Sequence, residues 1–117
     1  MRIHATAVIA AVLLCAAISD PAQSAEPGQY HTYGAGTTSC GNWLEERRGS
    51  QHQTLWQMDL NWVLGWLSAA GYYGATLRDT DANAVAAWVD KYCGEHPLNK
   101  VRDAAASLVD ELSKPEH

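Results

Sequence analysis

The chain has 117 residues, 8 Lys and Arg against 13 Asp and Glu, a net charge of −5, and five Trp, five Tyr and no Phe. That size admits one domain, and an acidic balance without a basic patch excludes nucleic acid as a natural partner. Trp and Tyr carry a polar atom on an apolar body, which suits half-buried surfaces and interfaces as well as cores.

At the N-terminus Arg2 and His4 precede Ala5 to Ile18, an apolar run of 14 residues. A membrane-spanning helix needs about 20, so this run is too short to span. "AQSA", residues 22–25, then offers small residues for cleavage after Ser24 or Ala25. Residues 1–25 are expected to be a secretory signal peptide, which implies a periplasmic or secreted protein. Cys15 ends "VLLC", as in a lipoprotein signal, but the bulky Leu14 before it is unsuited to lipid attachment. Cys15 leaves with the signal, so Cys40 and Cys93 remain in a mature chain of 92 residues, 117 less 25. Two thiols in an oxidising compartment are expected to pair. Such a bridge would remove about 4 kcal/mol of unfolded-chain entropy, a large share of the stability of so small a domain.

Residues 26–38, "EPGQYHTYGAGTT", have three Gly, one Pro and no apolar period, and predict an irregular arm before a helical domain over 39–117. "TTSC" supplies capping hydroxyls for a short first helix through "GNWLEERR", with Glu45 and Glu46 placed early, and "GSQHQ", 49–53, is a polar break. Leu55, Met58, Trp62, Trp66, Ala69 and Tyr73 follow helical spacing, while Leu60, Val63, Leu64 and Leu67 fill the opposite side. A helix apolar around most of its circumference predicts a central, buried position. Residues 60–77 carry no charge, but Asn61, Ser68, Thr76 and three Gly make the run too polar for a typical membrane span, so membrane insertion is not expected. Gly65 and Ala69 leave room for a second helix to approach.

"RDTDANAVAAWVDKYCG" predicts a third helix, capped by Thr80, buried along Val85, Trp88, Val89 and Tyr92, and stopped by Gly94 in a left-handed conformation. Pro97 predicts the first position of a fourth helix, with Leu98, Val101, Ala105, Leu108 and Leu112 as its buried stripe. Four helices without a strand signal predict a small all-α domain tied by one disulfide.

"VDKYCGEHPLNK", residues 89–100, places Cys93 three positions before His96, a spacing that a nucleophile and its base, a metal site or a structural tie could each use. A catalytic Cys needs a free thiolate, which an oxidising compartment with Cys40 as a mate disfavours. A structural zinc needs two closely spaced ligand pairs, and one is present here. The tie is preferred, with no catalytic residue, metal or cofactor expected and His96 at the N-cap region of the fourth helix. Glu45 with Glu46 and Asp79 with Asp81 look like pairs, but each is read as a helix-start acid favouring the macrodipole.

The order "TSC", "WVLGWLS" and "VDKYCGEHP" with a final amphipathic helix resembles the small periplasmic acid-stress chaperones of the HdeA/HdeB type. The resemblance implies dimers that separate in acid and expose apolar surface that holds unfolded clients, with Cys40 and Cys93 matching the family's bridge. It puts client contact on the second-helix region, at Trp56, Trp62, Trp66, Tyr72 and Tyr73. The helical Rap1a/Tai immunity proteins are similar in size, export and disulfide use, although their further C-terminal Cys is absent here. Two functions are therefore expected in rank order, an acid-responsive holdase and a dedicated protein-binding module.

Overall fold

The computed structural model describes residues 30–116; the expected signal peptide, Cys15, the cleavage site and residues 26–29 of the arm lie outside the described residues. A 3₁₀ turn at Gly34–Thr37 leads into α1 (Cys40–Arg48), a second 3₁₀ turn at Ser50–His52 into α2 (Gln53–Tyr72), and α3 (Ala82–Glu95) and α4 (Val101–Leu112) follow. The fold is the all-α, four-helix domain that the apolar periods predict, and no strand occurs among the described residues.

Each helix starts and stops for a local reason. Ser39 caps α1 by accepting the Asn42 N–H at 3.1 Å. Since α1 starts at Cys40, Glu45 and Glu46 lie in its middle and not in its first turn. At the end of α2 the Gly74 N–H reaches the Gly71 carbonyl at 3.2 Å and the Ala75 N–H reaches the Ala70 carbonyl at 3.0 Å. Those two bonds require a left-handed residue, and Gly74 has φ +108°. The left-handed stop expected at Gly94 thus belongs to Gly74, whereas Gly94 lies inside α3. Asp81, not Thr80, caps α3, because its carboxylate accepts the Ala84 N–H at 2.9 Å.

Pro97 does not open α4. The chain between α3 and α4 makes a turn closed by Asn99 N–H to the His96 carbonyl at 3.0 Å, and His96 caps the C-terminus of α3. An X-Pro dipeptide disfavours helix at X, so His96 takes an extended φ of −130° and α3 ends. Helix α4 starts four residues after Pro97, where the Asp103 carboxylate accepts the Lys100 N–H at 2.8 Å. Leu98, expected in its buried stripe, is 96% exposed, while Val101, Ala105, Leu108 and Leu112 are buried as the pattern requires.

The Cys40–Cys93 disulfide joins the first residue of α1 to the last turn of α3, with 4.8 Å between their Cα atoms. Beside it, Cys40 N–H donates to the Asn99 carbonyl at 2.8 Å and Val101 N–H to the Thr38 carbonyl at 2.9 Å, which lashes the starts of α1 and α4 together. Trp43, Val63, Val85, Val89 and Val101 fill the centre around this tie. The fully buried Trp43 donates its indole N–H to Asp90 at 2.8 Å, and Arg47 grips the same carboxylate with two nitrogens at 2.9 and 2.8 Å.

Helix α2 is central in connection and not in burial. Leu60, Val63 and Leu67 face the core, but Leu55, Met58, Tyr72 and Tyr73 are exposed. Gly65 and Ala69 are exposed too, and a Cβ built on Gly65 meets nothing within 4 Å. The expectation of burial on all sides fails because three shorter helices cannot wrap a twenty-residue helix, so one apolar face stays open. No described helix is long and apolar enough to cross a membrane.

Candidate functional site: an aromatic groove between α2 and α4

The arm, the C-terminal half of α2, Tyr92 of α3 and one side of α4 enclose a groove of about 930 Å³. Tyr30, Trp66, Tyr73 and Tyr92 provide its aromatic surface; Ala69, Ala70, Ala106 and Val109 provide apolar floor. Small residues on both facing helices create the space, since larger side chains there would close it. The volume and apolar character are those of pockets that hold a ligand or an anchoring side chain.

The aromatic wall is built outward from α2. Trp62 and Trp66, one turn apart, stack with centroids 5.3 Å apart, and Tyr30 lies 5.3 Å from Trp66. The arm is held there by the Trp62 indole N–H donating to the Tyr33 carbonyl at 2.7 Å. It is also held by close approach, because a Cβ at Gly36 would collide with the six-membered ring of Trp62. Arg102 of α4 donates to the Thr32 hydroxyl at 3.1 Å, and its guanidinium lies 5.9 Å from the Tyr30 ring centre. Burial raises the Tyr30 phenol above its ordinary pKa, so it is a neutral donor across the physiological range.

The polar groups of the groove are few and face one side. Asn99 donates to the Tyr92 hydroxyl at 2.8 Å, which leaves the phenol proton for a ligand. Asp103 and Asp110 contribute carboxylates, and the lining contains no Lys or Arg. Asp103 is engaged in capping α4 and lies 3.7 Å from Arg102, whereas Asp110 is exposed on the rim. The groove therefore presents aromatic faces with one exposed carboxylate, Asp110, at its edge. Among the described residues no cluster of three or more His, Cys, Asp and Glu could hold a metal ion.

No family model, no curated protein and no solved structure matches this chain. The function has to be read from the geometry.

The five aromatic residues expected at a contact surface are placed differently from one another. Trp66 and Tyr73 line the groove, and Tyr72 is exposed beside it with its ring edge-on to Tyr73 at 5.1 Å. Trp62 is half-buried under the arm and supports the wall from behind. Trp56 lies apart, half-buried beneath the Arg47 guanidinium at 4.7 Å, where it packs α2 on α1. Tyr30 and Tyr92 were missed, along with the α4 residues. Tyr30 belongs to a segment without period, Tyr92 reads as part of a buried helix face, and the groove side of α4 reads as its solvated face.

Proposed function

We propose that this chain is an exported protein-binding module whose groove takes a polypeptide segment with an aromatic or aliphatic anchor side chain and a neighbouring Lys or Arg. The observation that carries the reading is the ready-formed groove, aromatic-walled and edged by the exposed Asp110, with Asp103 offset by Arg102 at 3.7 Å. Aromatic anchors in pre-formed pockets supply most of the energy of protein recognition, and a charged rim selects the partner and speeds encounter. Export into an oxidising compartment agrees with the Cys40–Cys93 tie. A dedicated binder is favoured over a chaperone because the groove is open in the folded state and needs no acid to expose it.

The acid-responsive holdase resembling the HdeA/HdeB type is the second reading. It is favoured by the exposed Leu55, Met58 and Tyr72, apolar surface outside the groove that a variable client could use.

Fluorescence titration of the 26–117 chain with the peptides Ac-GKWKG-NH₂ and Ac-GEWEG-NH₂ tests the first reading. The basic peptide is expected to bind at least about tenfold more tightly, since close charge complementarity is worth more than 1 kcal/mol. Ala70→Trp, which fills the groove, is expected to abolish binding, and Asp110→Lys to remove the preference between the two peptides. Equal affinity for both peptides in the unaltered chain, or binding that survives Ala70→Trp, rejects the groove. Suppression of client aggregation at pH 2–3 and not at pH 7 supports the second reading.

A further inference from the structure

Between α3 and α4 the chain turns at His96–Asn99 and puts Leu98 near its tip, 96% exposed. A lone leucine on a surface is ordinary. This one is set apart by its support and its neighbours. Pro97 fixes the backbone before it, and the Asn99 N–H closes the turn on the His96 carbonyl at 3.0 Å. The Asn99 carbonyl in turn accepts the Cys40 N–H at 2.8 Å, beside the disulfide. Leu98 is therefore presented on a rigid mount, so that burying it in a partner orders little further chain. Lys100, two residues on, is exposed and makes no ion pair among the described residues. Residues 97–100 thus combine an aliphatic anchor with a neighbouring Lys, the ligand chemistry that the groove selects.

The turn also stands beside the groove that it matches. Asn99, next to Leu98, lines the groove and donates to the Tyr92 hydroxyl at 2.8 Å. Leu98 does not fill the groove of its own copy, since it is almost wholly exposed. Anchor and groove therefore share one side of the molecule. Two copies placed face to face about a two-fold axis can exchange both contacts at once, each Leu98 in the other's groove, and the pair closes. An anchor on the far side would instead string copies into an open chain. Charge also permits this acidic chain to pair with itself. Asp59 is the single charged residue of α2, and it is buried, so the α2 wall sets no like charges against each other. On the α4 side the exposed Asp110 is free to meet an incoming Lys100.

We propose that the groove receives the Pro97–Lys100 turn of a second copy of this chain, with Leu98 seated against its aromatic wall and Lys100 paired with Asp110, in both directions. The proposal rests on the binding reading above and names the partner. Ala70 and Ala106 leave the depth that a branched side chain needs.

Sedimentation equilibrium at pH 7 tests this on the 26–117 chain, which includes every described residue. The series runs up to about 1 mM, the weak end of measurable association. A monomer–dimer equilibrium that stops at two copies is expected. Leu98→Ser alters a side chain that touches almost nothing in its own copy, so the variant folds as the unaltered chain does. It is expected to weaken the dimer at least about tenfold, the scale of one buried leucine, and Ala70→Trp, which fills the groove, to do the same. Asp110→Lys is expected to weaken it as well, and Lys100→Asp in the same chain to restore it. The proposal is overturned by a chain that stays monomeric, by assembly beyond two copies or by a double exchange that restores nothing. A dimer that survives Leu98→Ser, as pairing through the open face of α2 would, overturns it too. Ac-GKWKG-NH₂ titrated into the Leu98→Ser chain, whose groove stays free, keeps the two claims apart. Binding there beside a monomeric unaltered chain rejects the self-pairing alone and leaves the groove to a foreign segment. A monomeric chain without peptide binding rejects the binding reading itself.

Discussion

The Trp62 indole is bonded at its nitrogen to the Tyr33 carbonyl, crowded by Gly36 and stacked on Trp66. A glycine in the arm is therefore required for space and not for backbone freedom. Gly36→Ala forces the indole or the arm to move, and overpacking of this kind costs about 1–3 kcal/mol. The expected outcome is a lower urea midpoint and a red-shifted Trp emission as the arm lifts; an unchanged midpoint would show that the arm is not held by this contact. Asp90 is the other residue on which much converges, because it satisfies the buried Trp43 indole and Arg47 at once. Trp43 and Asp90, 47 positions apart, show nothing of this partnership in the sequence.

Among the elements, α1 is the shortest of the four helices, with nine residues, and isolated helices of this length do not persist in water. Its stability comes from Trp43, the Arg47–Asp90 pair and the disulfide to α3. The bridge spans 53 positions, so reduction is expected to lower stability by about 4 kcal/mol on the loop-closure account. Calorimetry with and without reductant checks this, and a change under 1 kcal/mol would mean that the helices hold without the tie. The helix stops show the limit of local reading. Gly74 and Gly94 both follow aromatic-rich helical stretches, and only closure of the Ala75 N–H on the Ala70 carbonyl shows which one terminates a helix. Pro97 fits a first helical position in isolation, yet the Asn99–Cys40 bond and the Thr38–Val101 bond hold residues 97–100 outside the helix.

For the whole molecule, two electrostatic effects of opposite sign predict a stability optimum in mild acid. From about pH 4 to 7 the proton that buried Asp59 retains favours the folded chain, so stability falls as pH rises through that window. Below about pH 4 the carboxylates neutralise, and the 7 Lys and Arg with 4 His of residues 26–117 carry that stretch from −5 towards +11. Self-repulsion then opposes the compact state. Half-buried Glu111, which the Lys114 hydrogen bond holds below the usual carboxylate range, adds to the loss on the acid side. Urea midpoints from pH 3 to 9 are expected to peak between about pH 4 and 6; a monotonic rise towards pH 9 would contradict the raised Asp59 carboxyl.

The apolar periods of α2, α3 and α4, the pairing of Cys40 with Cys93 and the count of four helices were legible in the chain itself. Each depends on spacing within one helix or, for the thiols, on setting Cys15 aside with the expected signal. The groove and the approach of Glu46 to Asp59 were not legible, because each joins side chains 13 to 80 positions apart across different elements, and the open face of α2 was not, because no neighbour covers it. Periodicity shows that a face is apolar, but only packing decides whether a neighbour covers it. Likewise a carboxylate has its ordinary affinity for a proton until the fold removes water and sets a second carboxylate beside it.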